Sequence, residues 1–100
     1  MAKQTKLTRF ARGKSCTINF YPHCSGNDEE TVLAHAPCED KGMSIKSPDW
    51  WGAHACYTCH MILDGQIKAD DITQEEKYRA HMRGVYRTQK RIIEAGLSFE

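Results

Sequence analysis

The chain has 100 residues, of which 40% are hydrophobic, so it can form one domain whose modest core needs further stabilisation. Its formal net charge of +1 lacks the strong overall basicity that usually marks a nucleic-acid binder. No segment approaches the roughly 18 consecutive apolar residues that cross a bilayer, which argues against a transmembrane role. We therefore expect a single soluble domain over residues 1–100.

The first fourteen residues form a basic arm, and residues 6–14 within it predict a short helix. The arm has no acidic residue and five cationic ones: Lys3, Lys6, Arg9, Arg12 and Lys14. Such a run is either a solvated face or a surface that contacts phosphate, and the sequence leaves both interpretations open. Arg9, Arg12 and Lys14 are the candidates for nucleic-acid contact.

The middle of the chain predicts two strands and a helix. A loop with two cysteines precedes a β-branched segment, residues 31–35, which is expected to be a strand ending at His35. Residues 50–55 predict a second strand. Residues 57–63 then predict a short helix that is ended by Gly65.

Four cysteines are spaced so that they can share one metal ion: Cys16, Cys24, Cys56 and Cys59. The Cys-x-x-Cys half is a strong zinc signal, whereas the first pair is spaced more loosely. His23 or Cys38 could replace one member. Because the N-terminus lacks the apolar stretch of a signal peptide, we expect a reducing cytoplasm and a structural Zn²⁺ rather than disulfides.

Residues 56–60 also match the Cys-x-x-Cys-His signature of c-type haem attachment. Haem attachment normally follows export, and it would leave Cys16 and Cys24 without a role. Zinc is therefore the favoured interpretation.

A second metal site is predicted on the helix that follows the second cysteine pair. His60 and Asp64 are four residues apart, which places both side chains on one helical face. Imidazole plus carboxylate suits a catalytic Mg²⁺ or Mn²⁺ ion, although such a pair is often surface decoration. His35 is expected to face this ion across a cleft. His54 is a further candidate ligand for this site, and the alternative is that it is an ordinary histidine exposed on the strand.

The segment 73–96 predicts the longest helix. Thr73 and Glu76 form a capping box at its start, and Gly96 stands where a C-terminal cap belongs. Residues expected to dock on the domain recur at helical spacing: Met82, Val85, Gln89, Ile92 and Ile93. Gly84 costs about 1 kcal/mol relative to alanine in a helix, which suggests close packing there.

Arginines occupy every fourth position of this helix: Arg79, Arg83, Arg87 and Arg91. A row of guanidinium groups suits the phosphates along a nucleic-acid strand, so the first three are candidate nucleic-acid contacts. The alternative is that they pair with carboxylates such as Glu75, Glu76 and Glu94.

Six short segments together resemble the HNH, or His-Me finger, nucleases, and particularly the small nucleases encoded by lambdoid phages and prophages. The segments are residues 11–14, 24–27, 32–35, 46–50, 55–60 and 87–89. The resemblance implies an α+β fold in which a zinc-stabilised, treble-clef-like ββα-metal core spans residues 15–65. The basic arm, residues 1–14, precedes this core, and the C-terminal helix, residues 73–96, follows it.

By this resemblance, His35 corresponds to the general base and His60 to the metal-binding histidine that closes the motif. Asp49 falls near the middle position, whose side chain helps hold the loop and orient the base. Many relatives carry a second metal-binding residue immediately before the base, where this chain has Ala34. Asp64 is the candidate to compensate.

The resemblance implies a metal-dependent endonuclease that hydrolyses phosphodiester bonds in DNA, encoded by a phage or prophage and acting in the bacterial cytoplasm. Double-stranded DNA is the expected partner, and a homodimer would let paired sites cut both strands. Two alternatives stay open: a non-catalytic zinc-stabilised module that binds DNA or protein, and an adaptor whose final helix binds a partner protein.

Overall fold

The structure is a computed structural model that describes residues 5–37 and 48–99. Its elements in chain order are α1 (Lys6–Phe10), a 3₁₀ turn (Asp28–Glu30), β1 (Val32–His35), β2 (Gly52–Ala55), α2 (Tyr57–Leu63) and α3 (Gln74–Glu94). The predicted α+β class, with a two-stranded sheet and a C-terminal helix, is confirmed. None of the described helices combines the length and apolarity needed to span a bilayer.

The two C-terminal helices begin and end where their capping residues predict. Cys56 is the N-cap of α2, and Gly65 follows its end with a φ of +80°, which favours glycine. The capping box of Thr73 and Glu76 opens α3, and Gly96, with a φ of +74°, follows its end. Both helix predictions are confirmed because these signals are local.

The helix in the basic arm is shorter than predicted. It spans Lys6–Phe10 and has Ala11 as its C-cap, so the expected extension to residue 14 is wrong. Gly13 has a φ of +78°, which is outside the helical range and turns the chain towards Cys16.

The sheet lies at the centre of the core. β1 and β2 pair antiparallel, with Val32 opposite Ala55 and His35 opposite Gly52. All four residues of β2 are buried, because β1 lies beside it and α3 packs against it. Successive residues of β1 point to opposite faces, and both faces are covered, since Leu33 and Ala34 are buried in separate apolar clusters.

Helix α3 buries a stripe that differs from the predicted one. Its buried residues are Ala80, His81, Gly84, Val85, Thr88 and Ile92. The predicted docking of Ile93 is wrong, because this side chain is 66% exposed. Met82 packs at the edge of the core, and Gln89 donates a hydrogen bond to the Trp50 carbonyl at 2.7 Å.

The close packing expected at Gly84 is confirmed. A Cβ atom at this position would lie 2.6 Å from Ile18 Cδ1, 2.8 Å from Ala53 Cβ and 2.8 Å from Thr17 Oγ1. Glycine therefore lets α3 approach both β2 and the segment that follows Cys16.

Candidate metal centre and active site

Four thiols from two distant parts of the chain converge in one cluster. The Sγ atoms of Cys16, Cys24, Cys56 and Cys59 all lie within 4.8 Å of one another. A tetrahedral Zn²⁺ ion with Zn–S bonds of about 2.3 Å would hold its sulfurs about 3.8 Å apart. The Sγ atoms of Cys24 and Cys56 are separated by 3.7 Å. Donor type and spacing therefore both fit a structural zinc ion.

Backbone N–H groups point at three of the four sulfurs. The amide of Asn19 donates to Cys16 Sγ at 3.4 Å, and the amide of Phe20 donates to Cys59 Sγ at 3.5 Å. The amide of Cys59 donates to Cys56 Sγ at 3.5 Å, within the N-terminal turn of α2. Asn19 adopts a positive φ of 55°, which asparagine tolerates and which lets the loop turn around the cluster.

The thiols share their protons unequally. The hydrogen bond from Cys59 lowers the pKa of Cys16 to about 4 and raises the pKa of Cys59. Burial raises the pKa of Cys24 to about 11. Burial also opposes ionisation of Cys56, but hydrogen bonds from Ser25 and Cys59 outweigh it and lower the pKa of Cys56. Four neighbouring thiolates need a cation to offset their repulsion, so zinc would displace the remaining protons.

The alternative ligands considered from the sequence do not join this cluster among the described residues. His23 Nε2 instead lies 3.1 Å from the Asp71 carboxylate. Cys38 falls outside the residues that the structure describes. Because Cys56 and Cys59 share one cluster with Cys16 and Cys24, the geometry favours zinc over haem attachment.

The structure pairs two of the predicted site residues, His35 and Asp49. His35 Nε2 donates to Asp49 Oδ1 at 2.7 Å, and the second carboxylate oxygen, Oδ2, accepts from the Thr5 hydroxyl at 2.6 Å. Both side chains are 27% exposed, so they are held by neighbours yet open to solvent. Since a carboxylate only accepts, the shared proton is on Nε2, and Nδ1 is the ring nitrogen left to act as a base.

The second predicted pair lies on one face of α2. His60 Nε2 is 3.3 Å from Asp64 Oδ2, and the two side chains are 28% and 47% exposed. Among residues 5–37 and 48–99, the cysteines form the only group of three or more ligand side chains close enough for one metal ion. His60 and Asp64 therefore offer two protein ligands, and a bound ion would complete its shell with water or substrate oxygens.

A third histidine, His81, lies next to these pairs and was missed by the sequence analysis. It is 6% exposed and its Nε2 donates to the carbonyl of Ala34, the residue before His35, at 2.9 Å. Burial lowers the pKa of His81, while the charges of Asp64, His60 and His35 also affect it. Helical spacing with Gly84, Val85 and Thr88 is the signal that places His81 in the buried stripe, whereas its polarity alone predicts exposure.

His54 is not the exposed strand histidine that the sequence predicts. It is completely buried, with Nδ1 accepting a hydrogen bond from Arg91 at 3.0 Å and the ring 5.7 Å from that of Phe10. Its Nε2 atom has no hydrogen-bond partner within the described part of the chain. Burial, with the nearby Arg91 and Lys14 charges, lowers the pKa of His54 to about 4. This residue is therefore a neutral core side chain.

The arginine row of α3 holds the segment before and after Cys16. Arg83 donates to the Ile18 carbonyl at 3.2 Å, and Arg87 donates to the Thr17 carbonyl at 3.3 Å. Arg91 donates to the backbone carbonyl of Ser15 at 2.8 Å and to its hydroxyl at 2.6 Å. Only Arg79 forms an ion pair with a carboxylate within the described chain, at 3.6 Å from Glu75.

The candidate nucleic-acid contacts of the basic arm have different surroundings. Arg9 is exposed. Arg12 lines an open groove of about 450 Å³ that also includes Glu29 and Glu30. The Lys14 ammonium lies over the Phe10 ring, 4.4 Å from its centroid. Residues 5–14, the described part of the arm, thus offer cations to solvent without forming one focused anion site.

These features define a small α+β protein with a four-thiol cluster that could hold a metal ion and two partly exposed histidine–aspartate pairs. The family model described as "Putative nuclease YbcO" matches residues 5–97. The chain belongs to this family.

Named relatives and a solved structure agree with the family assignment. "Putative nuclease YbcO" of Escherichia coli K12 and "Putative nuclease ybcO" of Enterobacteria phage 82 are each 32% identical over 84 residues, covering 83% of this chain and 85% of theirs. The structure of "a putative bacteriophage protein" from E. coli K-12 MG1655 is similar, with a TM-score of 0.72 and 28% identity. This match covers 87% of this chain and 95% of that one. The expected relation to a small phage-encoded family is confirmed as far as these names go: the family model and both relatives are described as "Putative nuclease YbcO", and one relative is encoded by a phage.

Proposed function

We propose that this protein is a metal-dependent endonuclease of the HNH, or His-Me finger, type that hydrolyses phosphodiester bonds in DNA. The observation that carries the proposal is the hydrogen-bonded His35–Asp49 pair, whose histidine ends β1. The His60–Asp64 pair on α2 supports it as a candidate metal site. The order β1, β2, α2 also agrees with a treble-clef-like ββα-metal core, and the named relatives are described as nucleases.

His35 is the general base in this proposal. Its Nε2 proton is held by Asp49, so Nδ1 is available to take a proton from the attacking water. Thr5 fixes the other oxygen of Asp49 and thereby limits rotation of the carboxylate. The contact between His81 and the Ala34 carbonyl restrains the strand immediately before the base.

His60 and Asp64 are the proposed ligands of the catalytic ion. Mg²⁺ or Mn²⁺, when bound, would neutralise charge on the phosphate and on the leaving 3′ oxygen. The two side chains fit such an ion, because their nitrogen and oxygen atoms are 3.3 Å apart and partly exposed. The expected products carry a 5′ phosphate and a 3′ hydroxyl.

The cationic side chains of the arm and of α3 are the proposed contacts to double-stranded DNA: Arg9, Arg12, Lys14, Arg79, Arg83 and Arg87. They would contact the phosphate backbone, which gives affinity that depends on salt and little sequence preference. Arg83 and Arg87 are exposed even though each also donates to a backbone carbonyl.

A zinc-stabilised binding module without catalysis is the second candidate. It is favoured by one observation: within the described chain, His60 and Asp64 are not joined by a third ligand side chain. Such a module would bind DNA with a steep salt dependence and cleave nothing with any divalent ion.

A plasmid-nicking assay separates the two candidates. We expect the purified protein to nick supercoiled plasmid with Mg²⁺ or Mn²⁺, and His35→Ala to lose about 100-fold or more in rate while still binding DNA. His23→Ala is the matched control, because His23 also bonds an aspartate but lies outside the proposed site. No cutting by the wild type would favour the binding module, and equal cutting by the wild type and His35→Ala would remove His35 from the role of general base.

The proposal also includes where the enzyme acts and its oligomeric state. We place it in the cytoplasm of the bacterial host, where thiols stay available for zinc. A homodimer would bring two sites to the two strands, and exposed Ile93 on α3 is a candidate for its contact. Light scattering of the purified protein measures the oligomeric state directly.

A further inference from the structure

A small cavity borders the proposed cleavage site. Its volume is about 140 Å³, and the lining residues are Pro37, Leu63, Gln74, Lys77, Tyr78 and His81. Leu63 directly precedes Asp64, and Pro37 follows His35 by two residues. His81 connects the cavity to β1 through its hydrogen bond to the Ala34 carbonyl. The cavity is therefore lined by chain neighbours of the proposed base and ion ligands, and its His81 wall is close enough to His35, His60 and Asp64 to feel their charges.

The size of the cavity limits what it can hold. Pockets for drug-sized molecules have volumes of about 300–1,000 Å³. A cavity of about 140 Å³ is therefore suited to a fragment such as one base and not to a whole nucleotide pair. Its occupant must also reach it from the site where the phosphate is cleaved.

The lining combines the groups that recognise a base. Tyr78, which is 56% exposed, supplies an aromatic face, and Leu63 and Pro37 supply apolar surface. The Gln74 amide offers both a donor and an acceptor for base edges. Lys77 places a cation where a neighbouring phosphate would lie. His81 adds an uncharged wall, since burial lowers its pKa.

We propose that this cavity receives one unstacked DNA base next to the scissile phosphate, with Tyr78 as the stacking residue. The inference rests on the proposed function, because it takes the adjacent site as the place of cleavage. A base inside a regular duplex is stacked on both sides and cannot enter without being extruded. The enzyme should therefore prefer DNA with an unpaired base near the cut, such as a single strand, a bulge or a branch.

Binding measured without added Mg²⁺ or Mn²⁺, and without a chelator that would remove the structural zinc, tests this proposal separately from cleavage. The probe is a single-stranded oligonucleotide with 2-aminopurine as a fluorescent base, compared with the same sequence in a full duplex. We expect wild-type protein to bind the single strand more tightly and to quench its fluorescence. Tyr78→Ala and Tyr78→Leu should weaken this binding about tenfold, and Tyr78→Phe should retain it.

Tyr86→Ala is the matched control. Tyr86 lies on the same helix, two turns from Tyr78, and is 67% exposed, but it does not line the cavity. We expect this variant to bind both probes like the wild type. Equal binding by wild type and Tyr78→Ala, or equal losses in Tyr78→Ala and Tyr86→Ala, would overturn the proposal.

The design also separates failure of this inference from failure of the proposed function. A protein that cuts plasmid through His35 but binds the single strand without Tyr78 is a nuclease that lacks the base site. A protein whose binding depends on Tyr78 but which never cuts has the base site without nuclease activity.

Discussion

The thiol cluster and the histidine–carboxylate site differ in how completely the fold prepares them. Cys56 and Cys59 are fully buried, and backbone amides already point at three of the four sulfurs. His60 and Asp64 offer only two ligands and are 28% and 47% exposed. A closed four-ligand site is typical of structural zinc, whereas an open site leaves positions for water and substrate. The first site should therefore support the fold and the second the chemistry.

Removal of one thiol should have the largest effect. Cys56→Ser removes one of the four thiols, while the serine hydroxyl can still cap α2, so the expected loss of zinc and of the folded state would come from the broken cluster. Structural zinc contributes on the order of 10 kcal/mol in small zinc-dependent domains. Metal analysis and circular dichroism would measure both losses.

A matched change at the histidine–carboxylate site tests whether the two sites have separate roles. His60→Ala should keep one zinc per chain and the wild-type dichroism spectrum while abolishing metal-dependent nicking. A stable, zinc-free Cys56→Ser protein would contradict the structural assignment of the cluster. Loss of zinc from His60→Ala would show that the two sites are not separate.

A smaller effect is expected from a change at Asp49. Asparagine has the same shape as aspartate, but its amide can donate as well as accept. In Asp49→Asn the proton of His35 is therefore no longer required on Nε2, and it can move to Nδ1, where it blocks the base. We expect nicking to slow by roughly ten- to a hundredfold with zinc content unchanged, as for other residues that orient a catalytic group. Unchanged single-turnover rates would remove Asp49 from the mechanism.

The sequence predicts the elements whose signals are local. The capping box at Thr73 and the glycines after α2 and α3 each act within a few residues, and all predicted the correct elements. The pairing of His35 with Asp49 could be predicted only through the family resemblance, because fourteen residues separate the two along the chain and no local pattern connects them.

The errors arose where burial depends on the tertiary structure. Ile93 was predicted to dock because it is apolar, yet the buried stripe of α3 contains polar His81 and Thr88. Thr88 can be buried because its hydroxyl accepts a hydrogen bond from the backbone amide of His54. His81 can be buried because its ring donates a hydrogen bond to the Ala34 carbonyl. Neither hydrogen-bond partner is visible in the helix pattern, so burial of these side chains could not be predicted from it.

Another prediction concerns the close packing of α3 against β2 and against the segment that follows Cys16. Gly84→Ala places a Cβ against Ile18, Ala53 and Thr17 at separations that require the neighbours to move. Overpacking of this kind costs about 1–3 kcal/mol, so we expect a lower free energy of unfolding by urea. Lys90→Ala, at an exposed position of the same helix, should change it by less than about 0.5 kcal/mol. Equal stability of Gly84→Ala and wild type would mean that α3 can shift without cost.

The smallest effects should distinguish structural arginines from those free to bind DNA. Arg91 donates to Ser15 and His54, so Arg91→Ala should lower the free energy of unfolding by about 1 kcal/mol. Arg79 forms only an exposed ion pair with Glu75 within the described residues, and Arg79→Ala should change stability by less than about 0.5 kcal/mol. For DNA binding, Arg79→Ala should have the larger effect. It should lower the slope of affinity against salt concentration by the amount that roughly one phosphate contact contributes, and Arg91→Ala should leave that slope unchanged. If both variants lose stability equally and neither changes the salt dependence, the row serves only to fasten the chain around Cys16, and the phosphate contacts must come from the N-terminal arm.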